Sequence, residues 1–170
     1  MSQAVTRVAS PAPSGIEDWY AGADLLDSYA IALPPGAPDD VEALATALFS
    51  TIPLWTRSLL RLRDEIMRPL GVKTTAEIAK AGAVDGRDRI AFFPVLGRSP
   101  REIILGEDDR HLDFRASVLV QDDDGEGSRR LVFTTAVRCH NLVGRGYLIA
   151  IAPFHVLIVR SNLGRLRKSF

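Results

Sequence analysis

Residues 144–160 read GRGYLIAIAPFHVLIVR, and from Tyr147 to Val159 only Pro153 and His155 interrupt an apolar run. No other stretch restricts the fold so strongly. About a dozen apolar residues fall short of the roughly 20 that span a bilayer, so the run predicts a buried element of a soluble domain rather than membrane insertion. As a strand it would place Pro153 in mid-ladder, where a missing N–H is tolerated only at an edge or bulge. As a helix it aligns Tyr147, Ile151, Phe154, Ile158 and Leu166 along one side, and Pro153 then removes one backbone bond and kinks the helix near Ile149. The spacing predicts a long C-terminal helix over 144–166, kinked at Pro153 and buried on most sides.

The rest of the chain supplies what this helix packs against. In ADLLDSYAIALP (23–34), Tyr29, Ile31 and Leu33 alternate with smaller residues and Pro34-Pro35-Gly36 stops the strand. Two short helices follow. The first has Asp39 or Asp40 as N-cap and Val41, Leu44, Leu48 and Ile52 at helical spacing. Pro53 opens the second, whose apolar stripe is Trp55, Leu59, Leu62, Ile66 and Leu70, with Gly71 at its end. From residue 90 the pattern turns to strands. Within RHLDFRASVLVQD, Leu112, Phe114, Ala116, Val118 and Val120 face one way, and His111, Asp113, Arg115 and Ser117 the other. The polar DDDGEGS makes a hairpin to the returning RRLVFTTAVRCHN. The expected class is α+β, with the order strand, two helices, antiparallel strands, long last helix.

The chain has 170 residues, enough for one domain, and its 21 basic and 21 acidic residues cancel. No net field recruits nucleic acid, and no aromatic–basic interleaving offers a single-strand groove. The basic tail, with Arg160, Arg165, Arg167 and Lys168, is read as complementing the carbonyl end of the last helix. Cys139 is the only cysteine, so no internal disulfide forms, and a reducing cytoplasm is expected. Residues 1–20, rich in Pro, Ser and Ala around MSQAVTRVASPAPSG and without an apolar core of signal-peptide length, are expected to be a disordered lead-in to a single domain over 21–170.

The motifs PLW (53–55), REIILGEDDRHLDFR (101–115), TTAVRCHN (134–141) and GRGYLIAIAPFH (144–155), in this order, resemble a bacterial family described only as domain of unknown function 2867. The resemblance covers 23–166. It implies a helix-grip fold of the START/Bet v 1-like (SRPBCC) kind, in which a curved antiparallel sheet wraps a long C-terminal helix around a cavity. Members of that family stand alone or follow a short-chain-dehydrogenase-like domain. No G-x-G-x-x-G follows the first strand here, so the stand-alone form is expected, and a dehydrogenase-like partner protein or a second copy is what the resemblance allows as a protein partner.

Two polar features carry candidate chemistry. His111, Asp113 and Arg115 are expected on one strand face, about 7 Å apart in succession, with Glu102 opposite on the preceding strand. A histidine between carboxylates serves as general acid or base, and a solvated outer face with cross-strand ion pairs explains the same residues. His155 lies inside the apolar helix, where an unpaired imidazole is costly. Its partner is a carbonyl freed by Pro153, Tyr147 two turns earlier, or a carboxylate from the sheet. Glu102, His111, Asp113, His140 and His155 have no spacing that organises a metal, so none is expected. Phosphate-loop, dinucleotide and serine-elbow motifs are missing, so neither a cofactor nor a serine nucleophile is expected.

Two functions remain. One is a binding module holding a small hydrophobic or lipid-like molecule between sheet and last helix, lined by Trp55, Glu102, His111, Arg115, Tyr147 and His155. The other is an enzyme using the same cavity for acid–base chemistry (cyclisation, dehydration or hydrolysis), with His111, Asp113 or His155 as catalytic candidates.

Overall fold

The structure, a computed structural model, describes residues 4–50, 88–123 and 127–170, with scattered positions between 57 and 86. Trp55 and most of the second expected helix lie outside the described residues. Seven strands form one curved antiparallel sheet: β1 (Thr6–Arg7), β2 (Leu25–Leu33), β3 (Arg89–Ile90), β4 (Phe93–Arg98), β5 (Glu102–Asp108), β6 (Leu112–Asp122) and β7 (Arg129–Cys139). Their order across the sheet is β1-β2-β7-β6-β5-β4-β3. Two helices described from end to end are α1 (Val41–Ser50) and α2 (Leu142–Leu166).

The strand pairs follow the alternation in the sequence. β6 and β7 form the central hairpin, in register from Leu112↔Cys139 to Asp122↔Arg129. β2 completes the centre, with Tyr29 opposite Phe133 and Ile31 opposite Leu131. Pro94 lies in β4, where β3 supplies only a two-residue partner and the register to β5 shifts between Val95 and Gly97. An irregular strand near the sheet's end tolerates the missing N–H. Asp40 starts α1, because its carboxylate oxygens accept the N–H groups of Glu42 and Ala43 at 3.1 Å each.

Both helices cover one face. Tyr29, Ile31, Ile103, Leu105, Val118, Val120, Leu131 and Phe133 from the sheet join Val41, Leu44, Ala45 and Leu48 of α1 and Val159, Leu163 and Leu166 of α2 in one core. The aromatic rings of Phe49, Phe93, Phe114 and Phe133 continue it across the sheet, Phe49 meeting Phe93 at 5.4 Å and Phe133 at 6.0 Å. Burial of this kind stabilises by about 1.5–3 kcal/mol per large side chain.

Two expectations change. The lead-in over 1–20 is not a disordered tail: Thr6–Arg7 add the edge strand β1, Val5 packs against the core, and Ser14–Trp19 lie as a strap on the sheet face turned away from α2. Ile16 is only 1% exposed, β1 pairs with β2, and the Tyr20 hydroxyl donates to the Pro11 carbonyl at 2.8 Å. One isoleucine, one tryptophan and a line of polar contacts hold a segment whose composition is otherwise that of a loop. The last helix runs unbroken from Leu142 to Leu166 through Pro153, as expected, but it is not buried on most sides. Ile149 is 77% and Leu157 57% exposed, and only 11% of its most apolar window is buried. At 25 residues α2 is long and apolar enough to cross a membrane by length and composition, which counting the short run alone did not register. Its C-terminal half is nevertheless part of the domain core, packed on α1 and β2.

Candidate functional site

The sheet face beneath α2 is a grid of apolar side chains with one polar row. Register places Asp27 of β2 beside Thr135 of β7, and Thr135 beside Ala116 of β6. The row on one side is Tyr29, Phe133 and Val118; the row on the other is Leu25, Val137 and Phe114. Asp27 is only 7% exposed. A carboxylate so placed requires a partner, since an isolated buried charge is among the most costly features a fold can contain.

His155 is that partner. Its Nε2 lies 3.2 Å from Asp27 Oδ1, and its side chain is 23% exposed. Of the three partners open to His155 from sequence, the structure gives the carboxylate from the sheet. An Nε2–H donated to Asp27 leaves Nδ1 as the ring's acceptor, the tautomer that suits an oriented base or a ligand contact. Next to Asp27, the buried Thr135 Oγ1 has no hydrogen-bond partner among the described residues. Buried hydroxyls are nearly always satisfied, so Thr135 is an exception, and it stands beside the carboxylate–imidazole pair.

The other sequence candidates are dispersed. Tyr147 is half-buried on α2, about 12 Å from His155 along the axis by helical rise. His111 precedes β6 instead of sharing its face. Its Nδ1 lies 3.2 Å from Asn141 Oδ1, the same oxygen that accepts the Gly144 N–H at 3.0 Å as the N-cap of α2. It anchors the start of the helix, about 16 Å along the axis from His155. His111 Nε2 is buried and unpaired among the described residues.

Glu102, Asp113 and Arg115 point to the face turned away from α2. Glu102 sits across from Leu119, not opposite the His111–Arg115 stretch. It accepts Ser14 Oγ–H at 2.6 Å, Gly15 N–H at 2.9 Å and Ser117 Oγ–H at 2.5 Å, so it latches the strap. Asp113 pairs with His140 Nε2 at 2.9 Å, and Arg115 donates to Asp108 at 2.7 Å while lying over the Trp19 ring. Asp113 and Arg115 are thus held in ion pairs, while Glu102 is buried under the strap and not on a solvated face. Among the described residues no three His, Cys, Asp or Glu side chains converge as metal ligands.

Cys139, at the end of β7, is a free thiol, half-exposed. Burial, followed by the Asp24 carboxylate beside it, pushes its pKa up, which keeps it protonated and unreactive at neutral pH.

Sequence reasoning passed over Asp27 and Thr135. Asp27 shares the parity of Tyr29, Ile31 and Leu33, so an acid on the apolar side of a strand was the available signal.

These features define an α+β domain in which a long helix lies on an antiparallel sheet and sends one histidine to a buried acid. The chain belongs to the family described as protein of unknown function (DUF2867), whose model matches residues 19–162. No curated protein and no solved structure matches it.

Proposed function

We propose that this protein binds a small, largely apolar, lipid-like molecule between the sheet and α2, with His155, Asp27 and Thr135 orienting its polar end. The observation that carries this reading is the unpartnered Thr135 hydroxyl beside the His155–Asp27 pair, set in a grid of Tyr29, Phe133, Phe114 and Val137. Binding sites for such molecules are mostly apolar with a few converging polar groups. A helix-grip arrangement of the START/Bet v 1-like kind accommodates it, with α2 bent at Pro153, which has no N–H for the Ile149 carbonyl. Tyr147 extends the lining along the helix. Trp55 is proposed at the rim of the same space. The lone free thiol suits a reducing, cytoplasmic setting.

Thermal melts against a panel of fatty acids, isoprenoids and aromatic polyketide-like molecules test the proposal. A ligand of this class raises the melting temperature of wild-type protein, and the rise shrinks in Thr135→Val, which keeps the shape and removes the hydroxyl. A panel without any shift that Thr135→Val reduces would count against the site.

A second reading rests on the same pair. A carboxylate fixing one imidazole nitrogen is the arrangement of an oriented general base, so His155 would abstract or deliver a proton in a cyclisation, dehydration or hydrolysis. Thr135 is a hydrogen-bond donor there, and no activated nucleophile accompanies it among the described residues. Turnover that collapses in His155→Ala while the fold persists would favour catalysis over binding alone.

A further inference from the structure

The helix that sends His155 inward presents a different surface outward. Ile149, Ala150, Pro153, Phe154 and Leu157 are linked by three- and four-residue steps on the exposed side, with exposed Leu142 two turns before Ile149. Ile149, Phe154 and Leu157 are all large and exposed. Isolated exposed apolar residues are ordinary, but a contiguous stripe on one helix marks an interaction surface. Arg145 and Arg160 bracket it, and Arg167 and Lys168 follow. From Leu142 to Phe170 the chain has no Asp or Glu. Arg145 lies 3.7 Å from Asp24, whereas Arg160 has no ion pair among the described residues.

This charge pattern selects the occupant. A second copy packed antiparallel over the stripe would set Arg145 against the other copy's Arg160 at both ends, and a parallel copy would set each arginine against itself. Only Arg145 has an acid beside it, so the stripe with its flanks carries a net positive charge, which opposes self-association. An anionic lipid surface has the opposite requirement: it takes an in-plane helix with apolar side chains on one face and basic residues at the level of the headgroups.

We propose that the outward face of α2 docks this protein, without spanning, on an anionic lipid surface. Ile149, Phe154 and Leu157 enter the interface while Arg160 and Lys168 meet the headgroup phosphates. This inference is independent of what, if anything, binds at Asp27 and Thr135.

Co-sedimentation with vesicles of phosphatidylcholine alone, and of phosphatidylcholine mixed with phosphatidylglycerol, tests it. Wild-type protein should pellet with the mixed vesicles, bind phosphatidylcholine weakly, and be released by added salt. The double variant Phe154→Ser/Leu157→Ser should bind at least about tenfold less, and Arg160→Gln/Lys168→Gln about tenfold less on mixed vesicles only. All four side chains point outward, so both variants should keep the wild-type circular dichroism melt. Wild-type protein remaining in the supernatant at low salt would overturn the proposal. So would variants that pellet like wild type, or a dimer in analytical ultracentrifugation that Phe154→Ser/Leu157→Ser dissociates.

Discussion

His155 Nε2 and Asp27 Oδ1 meet at 3.2 Å, joining the last helix to the second strand across nearly the whole chain. Neither group is tenable alone in that position: the acid is buried beneath the helix, and the imidazole interrupts an apolar surface. The pair should therefore be coupled. In a double-mutant cycle with His155→Ala and Asp27→Asn, urea denaturation should give a coupling energy of roughly 1–2 kcal/mol. Additive effects of the two substitutions would show that the side chains do not interact in solution.

The strap should contribute real stability. Glu102→Ala leaves the Ser14, Gly15 and Ser117 donors without their acceptor and should cost roughly 2–4 kcal/mol. Trp19 lies under Arg115 at 4.1 Å and Arg138 at 4.6 Å, so Trp19→Ala should cost about 1–2 kcal/mol. Chemical denaturation reads both. A stability unchanged by either substitution would mean that the segment is a loose tail after all.

Two glycines at the start of α2 should respond with opposite signs. A Cβ on Gly144 would come within 2.1 Å of the His111 carbonyl oxygen, whereas one on Gly146 meets nothing within 4 Å. Gly146→Ala should stabilise by about 0.5–1 kcal/mol through helix propensity. Gly144→Ala should destabilise despite the same propensity gain, because the helix must move off the His111 turn. Thermal melts of the two variants decide it, and a stabilising Gly144→Ala would contradict the close contact.

Cys139 should alkylate slowly. Its thiol pKa is raised by burial and by Asp24, and a raised thiol pKa means a smaller thiolate fraction at any pH below it. The rate of iodoacetamide labelling against pH should have its midpoint above that of an unstructured cysteine peptide, and Asp24→Asn should shift it down. A midpoint at or below the peptide's would reverse the sign of the argument.

Much of this architecture was legible because its signals are local and repeated. The alternation from Leu112 to Val120 gives β6 and its inward face, Asp40 gives the α1 cap, and the apolar run from Tyr147 gives α2. The strap was not legible, since Pro, Ser and Ala around a single Ile16 and Trp19 carry no periodicity and become ordered only against a finished sheet. The site was half legible. His155 stands out as a polar break in an apolar helix, but its partner depends on strand register, which no local pattern states. The same limit put Glu102 with the His111–Arg115 stretch, when β5–β6 pairing carries it to Leu119 and the strap. The outward face of α2 escaped notice because a helix apolar all round looks buried from sequence alone.

The central claim is that a small molecule occupies the space that His155, Asp27 and Thr135 share. Native mass spectrometry of wild-type and His155→Ala protein, purified side by side, tests it most directly. The account predicts a discrete small-molecule adduct on the wild type that is lost or reduced on the folded variant. A wild type that carries no adduct and gains none from the ligand panel, or an adduct equally retained by His155→Ala, would contradict it.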